Sequence, residues 1–221
     1  MELSRYIDHT LLRPTATEVD IIKLCQEAVA YNFYAVCVNG CYVRRSAQEL
    51  SGTNVSIASV VGFPLGAMVS AIKIREAISA IELGAHEVDM VFNIGYLKAQ
   101  QYTLVEKEIS DIKKAIGNSI LKVIIETCYL SNEEKKIAIE IVGHAGADFI
   151  KTSTGFGTGG ATVEDITLMK ALKKESLKIK ASGSIRDVST ALELIAAGSD
   201  RLGTSSGIAI VTHQAGENTK Y

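Results

Sequence analysis

LKVIIETCYLSNEEKKIAIEIVGHAGADFIKTSTGFGTGGATVEDITLMKALKKESLKIKA, residues 121–181, decides the fold. Three short apolar, β-branched runs, at 121–126, 148–151 and 177–181, are separated by helix-period stretches at 132–144 and 163–174. Runs that are apolar almost throughout suit strands covered on both faces. Strand, helix and strand in succession predict parallel strands joined by right-handed crossovers. The same alternation runs outward in both directions. Strand-like runs recur at 6–9, 35–38, 56–61, 87–92 and 201–203, with helical periodicity at 17–31, 70–83, 106–116 and 187–197. Thr17 is a ready N-cap for the first helix, which places Ile21, Leu24, Cys25 and Ala28 along one side. Gly84, Gly117 and Gly198 are natural helix stops. Successive strands start about 28 residues apart, near the ~30 of one strand–helix unit. Eight such units close a barrel. The predicted fold is therefore α/β, an eight-stranded parallel (β/α)8 barrel, with an open doubly wound sheet as the alternative. No linker or composition shift divides the chain, so 1–221 is read as one domain with 214–221 as a flexible tail.

Composition limits the function classes. The chain has 221 residues, 47% of them hydrophobic, and 23 Lys+Arg against 25 Asp+Glu give a formal net charge of −2. That balance offers no electrostatic footprint for nucleic acid or an anionic membrane. No apolar run reaches the ~18 residues of a membrane span. The N-terminal MELSRYIDHTLL lacks the basic region and apolar core of a signal peptide, so a cytoplasmic protein is expected. Cys25, Cys37, Cys41 and Cys128 form no Cys-x-x-Cys pair and the four histidines show no paired spacing, so no metal site is expected and the cysteines read as reduced, mostly buried small hydrophobes.

Barrel chemistry gathers at the C-terminal ends of the strands. The ionisable residues that close an apolar run are Asp8, Asp89, Glu126, Lys151 and Lys180. Lys151 and Lys180 end consecutive strands, which lie about 4.8 Å apart when paired. Two ammonium groups there repel, and burial penalises both charges; both effects lower a lysine pKa. A neutral lysine forms a Schiff base with a carbonyl. One lysine would attack, and the other would supply the like charge and later move protons. The competing reading is a pair of strand-end lysines snorkelling to water or paired with carboxylates. Lys178 shares the parity of Lys180 but sits nearer the strand's start, and reads as reaching solvent at the opposite mouth. Asp89 reads either as the buried ion-pair partner of a lysine or as a proton carrier, and the two are compatible.

Three Gly/Ser-rich turns follow late strands, at 152–157, 182–186 and 203–207. Loops after strands seven and eight commonly hold a phosphate on backbone N–H groups. Gly183-Ser184 and Gly203-Thr204-Ser205 are placed for that, which points to a phosphorylated substrate. Two formal motif matches fail on context. Gly155 to Gly160 fits a dinucleotide fingerprint, but the next strand ends in Lys180-Ala181 rather than in an acid that would hold a ribose. Gly203 to Gly207 fits a nucleophile elbow, but only His213 follows Ser205, with no acid between them.

The segments around these residues resemble the deoxyribose-phosphate aldolase family. Ile7-Asp8-His9-Thr10-Leu11-Leu12, Val36-Cys37-Val38-Asn39, Val61-Gly62-Phe63-Pro64-Leu65-Gly66, Glu87-Val88-Asp89-Met90-Val91, Lys151-Thr152-Ser153-Thr154-Gly155-Phe156, Lys180-Ala181-Ser182-Gly183 and Gly203-Thr204-Ser205-Ser206-Gly207 follow the family's order. The resemblance implies a metal-free class I aldolase of deoxyribonucleoside catabolism, needing no cofactor. It would reversibly cleave 2-deoxy-D-ribose 5-phosphate to acetaldehyde and D-glyceraldehyde 3-phosphate, and would be a homodimer. It implies Lys151 as the Schiff-base lysine, Lys180 as the second lysine and Asp89 as the proton relay. It implies substrate or phosphate contacts at Asp8, Thr10, Thr152, Gly155, Gly183, Ser184, Gly203, Ser205 and Ser206. Tyr221, the last residue, falls where some members carry a tyrosine that aids proton transfer; the other reading of it is a disordered end. The chain departs from the family at Ser184, where glycine is usual, and at Asp187, where threonine is. Gly40, Cys128 and Gly157 stand where proline, glycine and serine are common. Serine at 184 keeps a backbone contact only at negative φ or with a tolerated left-handed strain. Asp187 either adds a negative charge near the phosphate or caps a helix. Another phosphosugar aldolase or isomerase, and a non-catalytic phosphometabolite-binding barrel, are the alternatives.

Overall fold

The structure, a computed structural model, describes residues 2–213. The predicted tail at 214–221, with Tyr221, lies outside the described residues. Eight parallel strands close into a barrel in sequence order: β1 Ile7–Leu11, β2 Ala35–Val38, β3 Ser56–Val61, β4 Glu87–Val91, β5 Ile120–Ile124, β6 Phe149–Lys151, β7 Lys178–Ser182 and β8 Arg201–Thr204. Closure between β1 and β8 sets Asp8 opposite Gly203 and rules out the open sheet. The connecting helices are α1 Glu18–Ala30, α2 Val43–Glu49, α3 Ser70–Glu82, α4 Ile94–Lys98, α5 Tyr102–Ile116, α6 Asn132–His144, α7 Val163–Leu172, α8 Val188–Ala197 and α9 Gly207–Thr212.

Local chemistry explains the helix ends. Thr17 and Ser131 each close a capping box on α1 and α6, with Asp20 and Glu134 returning the bond. Asp187 accepts the Thr190 N–H at 2.9 Å, so the capping reading of that residue holds. Three short helices were not legible. α2 (VRRSAQE) turns only Val43 and Ser46 inward, while α4 and α9 span five and six residues, too short to show a 3.6-residue period. Two of the four cysteines match the expectation of burial, Cys25 and Cys37; Cys41 is exposed and Cys128 half-buried, because both lie in turns beyond a strand end.

Strand alternation divides each strand between two environments. The outward residues Ile7, Val36, Ile57, Val88, Leu121, Ile150, Ile179 and Leu202 join one apolar core shared with the helices. The inner surface is split. Leu12, Cys37, Ala58 and Val60, with Phe63 against them, form a separate apolar cluster along the β1–β3 side. The β4–β8 side carries the charges, joined by Asp8 of β1, because the register sets Asp89 beside Lys122, Lys151 beside Lys180, and Lys180 beside Arg201. Among the described residues no helix is long and apolar enough to cross a membrane.

The β3–α3 turn shows how tightly the loops seat. Gly66 sits at φ 66° and donates its N–H to the Gly62 carbonyl at 2.8 Å. A Cβ there would run into the Phe92 carbonyl oxygen and lie 2.9 Å from Val91 Cγ1. Gly66→Ala is therefore expected to lower unfolding stability by about 2 kcal/mol or more in urea denaturation, and a loss under about 0.5 kcal/mol would contradict this packing.

Candidate active site

Asp89 is fully buried at the middle of β4 and organises the inner charges. Its Oδ2 accepts from Lys151 Nζ and from Lys180 Nζ, each at 2.8 Å, and its Oδ1 accepts from Lys122 Nζ at 2.7 Å. Lys180 also binds Asp8 Oδ2, and Asp8 Oδ1 accepts from Arg201 at 2.8 Å. Lys122 pairs in turn with Glu87. The Arg201 guanidinium lies 3.3 Å from the Tyr34 ring centroid, where the ring face adds cation–π support. Thr10 donates to the Asp8 carbonyl at 2.8 Å and steadies that strand.

The cluster is electrically uneven. Three carboxyl groups, Asp8, Glu87 and Asp89, meet four basic groups, Lys122, Lys151, Lys180 and Arg201. Ionised throughout, it would hold one surplus positive charge away from water, which is costly. Burial pushes the Lys151 ammonium below the usual lysine range; Asp89 opposes that shift and Lys180 adds to it. Burial presses on Lys180 as well, but Asp8 and Asp89 outweigh it and hold its pKa above the usual range. The same balance, with Asp89 and Glu87, holds Lys122 up. Asp8 and Asp89 resist burial and stay well below the carboxylate range because of the surrounding cations. One amine, Lys151, is thus set to lose the surplus proton. The expectation that repulsion and burial together lower both lysines is met in direction at Lys151, where burial leads and Lys180 adds to it, and is corrected at Lys180, whose pKa rises because Asp8 and Asp89 outweigh both effects.

Beyond the end of β6, residues 155–159 and 183–186 and Ser205 line a cavity of about 540 Å³. Gly155, Gly183, Ser184 and Ser205 of the predicted set line it, joined by Arg186, which the sequence reading did not single out. Ser184 adopts φ 64°, directly after Gly183 at φ 82°, so the left-handed strain is present and tolerated. The chain cannot relax there easily, because the Ala161 N–H donates to both the Ser182 and Gly183 carbonyls. The other predicted contacts sit elsewhere. Thr152 is buried, donating to the Ser182 carbonyl at 3.1 Å and accepting the Ser182 N–H at 3.0 Å. Gly203 makes room for Lys180, whose Cε would lie 3.0 Å from a Cβ there. The Ser206 N–H donates to Thr204 Oγ1 at 2.9 Å and closes the β8–α9 turn. Lys178 is exposed, as its place at the strand's start suggested, with Nζ 5.7 Å from the Phe149 ring centroid.

Comparison with known proteins gives the family. A family model described as DeoC/LacD family aldolase matches residues 3–213. The chain belongs to the DeoC/LacD aldolase family. It is 52% identical to a deoxyribose-phosphate aldolase of Clostridium novyi over the full length of both, and 52% identical to one of Brevibacillus brevis over 96% of each. The tetrameric deoxyribose phosphate aldolase of Aeropyrum pernix superposes with a TM-score of 0.87 at 32% identity, over 95% of this chain and 89% of that one.

For this aldolase-family barrel, the strand-end criterion passes over Glu87 and Arg201, which begin β4 and β8, and Lys122, which sits at the middle of β5. Lys122 had a signal, a lone charge between Leu121 and Val123 in an apolar run. Lys122→Met should cost about 3–5 kcal/mol of stability, because Asp89 and Glu87 lose a buried counter-ion. With Asp89 less compensated, the Lys151 amine becomes harder to deprotonate, so activity should set in at higher pH than in the wild type. Unchanged stability and an unchanged pH–rate profile would remove Lys122 from the network.

Proposed function

We propose that this protein is a deoxyribose-phosphate aldolase that cleaves 2-deoxy-D-ribose 5-phosphate reversibly to acetaldehyde and D-glyceraldehyde 3-phosphate, with Lys151 as its Schiff-base nucleophile. The observation that carries the reading is the asymmetric pair of lysines on one oxygen of Asp89, only one of which has its pKa lowered, on a barrel whose β6–α7 and β7–α8 turns line a cavity.

The chemistry follows from those positions. Neutral Lys151 adds to the C1 aldehyde of the open-chain sugar, and loss of water gives an iminium. The C3 hydroxyl gives up its proton, the C2–C3 bond breaks, and its electron pair moves into the iminium to leave an enamine. Glyceraldehyde 3-phosphate departs with C3 as its new aldehyde. The enamine then takes a proton at C2, and water releases acetaldehyde and the free amine. Asp89 and Lys180 handle these protons, directly or through water, since one oxygen of Asp89 accepts from both lysines. Asp8 keeps Lys180 charged, and Thr10 holds the Asp8 strand. The iminium is itself the electron sink, so the reaction asks for no metal or cofactor.

The substrate phosphate sits in the cavity of Gly155, Gly183, Ser184 and Ser205, with Arg186 in its wall and Thr152, Gly203 and Ser206 shaping the turns. Tyr221 is assigned a part in proton transfer by the resemblance alone. A homodimer in the cytoplasm completes the proposal.

Borohydride added with acetaldehyde should fix a two-carbon adduct on Lys151, found by peptide mapping, and the labelling rate should rise with pH as the amine deprotonates. Lys151→Met should abolish both labelling and turnover. Turnover that survives this substitution would end the Schiff-base reading.

A further inference from the structure

Glu126 closes an apolar run as Lys151 does, yet the steps above give it no part. It follows β5 in a left-handed conformation, φ 49° and ψ 68°, which residues with a side chain adopt rarely. Its side chain is buried, at 2% exposure. Among the described residues no lysine or arginine lies within ion-pair distance of it, and burial pushes its carboxyl pKa up. For stability alone, an apolar residue of similar volume would serve better.

The carboxylate is spent mainly on Thr154, with one long bond from the Cys128 thiol to Oε1 at 3.9 Å besides. Oε1 and Oε2 accept the Thr154 N–H at 3.2 and 3.3 Å, and Oε2 also accepts the Thr154 hydroxyl. That hydroxyl accepts the Phe156 N–H at 3.0 Å. Backbone bonds tie the same two exits together, since the Ile125 N–H donates to the Lys151 carbonyl and the Thr127 N–H to the Thr152 carbonyl, each at 3.0 Å. The turn closes around the carboxyl, because a Cβ on Gly157 would lie 3.2 Å from Glu126 Cδ and 2.8 Å from Cys128 Sγ. Glu126 is thereby fixed to the segment that leaves Lys151 and enters the anion cavity at Gly155.

We propose that Glu126 is a positioning residue: by gripping the Thr154 amide and hydroxyl it sets the 152–157 turn so that Lys151 and the Gly155 cavity hold the two ends of one phosphorylated sugar. This rests on the aldolase reading above. It makes the carboxylate matter most for substrates that use both ends at once.

The test compares deoxyribose 5-phosphate with unphosphorylated 2-deoxyribose for the wild type, Glu126→Ala, Glu126→Gln and Thr154→Val, with thermal melts of each. Glu126→Ala should raise KM for the phosphorylated sugar about tenfold and leave KM for 2-deoxyribose within about twofold. Glu126→Gln keeps an acceptor oxygen and should recover most of the loss. Thr154→Val should show the same split at smaller size, and it decides the matter if Glu126→Ala does not fold. An equal loss for both sugars, or a Gln variant as impaired as the Ala variant, overturns the proposal. A wild type that neither turns over deoxyribose 5-phosphate nor traps acetaldehyde would instead defeat the aldolase reading.

Discussion

The constraint on which the site depends is the Asp89 carboxylate, shared by three lysines in the dry interior of a closed barrel. A carboxylate there is stable only with cations beside it, and each cation is stable only with a carboxylate. Three acids against four bases leave one base without full compensation. Lys151 is that base because it has one acidic partner, Asp89, and it shares that oxygen with Lys180. Lys180 has two acids, Asp8 and Asp89, and Lys122 has three, Asp89, Glu87 and, at 3.6 Å, Asp8. On the proposed mechanism, the choice of nucleophile follows from how many acids each lysine meets, within a burial common to all three.

Barrel closure is what makes that count possible. Asp8 and Lys180 are 172 positions apart in the chain, and they meet because β8 pairs with β1. In an open sheet β1 and β8 would be edges, Asp8 would face water, and Lys180 would lose the partner that holds its proton. The apolar half of the inner surface, Leu12, Cys37, Ala58 and Val60, does complementary work. It keeps water from screening the charged half, so interactions between neighbouring charges keep their strength.

What the sequence made legible follows from this geometry. Val/Ile-rich runs announce strands because both faces of a parallel sheet are covered, and Lys151, Lys180 and Asp89 stand out because a charge in such a run needs a reason. Ser56–Val61 and Asn132–His144 were bounded correctly for the same local reason, a clear period ended by clear breakers. The direction of the Lys180 shift was not legible, since it depends on Asp8 and hence on ring closure, which neither strand encodes alone. Lys122, Glu87 and Arg201 escaped because they sit deeper than the mouth, where their task is to hold other charges. Arg186 escaped because only folding brings its turn beside Gly155.

The opposite shifts of the two lysines also oppose each other in the energetics of folding. A group whose folded pKa lies below its unfolded value of 10.5 binds fewer protons in the native state, so Lys151 destabilises the fold at neutral pH. That penalty is full below its folded pKa and fades as pH climbs to 10.5. Lys180, with its folded pKa raised, stabilises the fold fully below 10.5 and loses that contribution only as pH rises through its folded pKa. Both effects are therefore at full strength at the pH values where the fold must hold with Lys151 protonated. The stabilised lysine, fixed between Asp8 and Asp89, offsets the destabilised one at its side. The barrel tolerates a reactive amine in its interior because the carboxylate oxygen that leaves Lys151 under-compensated also anchors its neighbour.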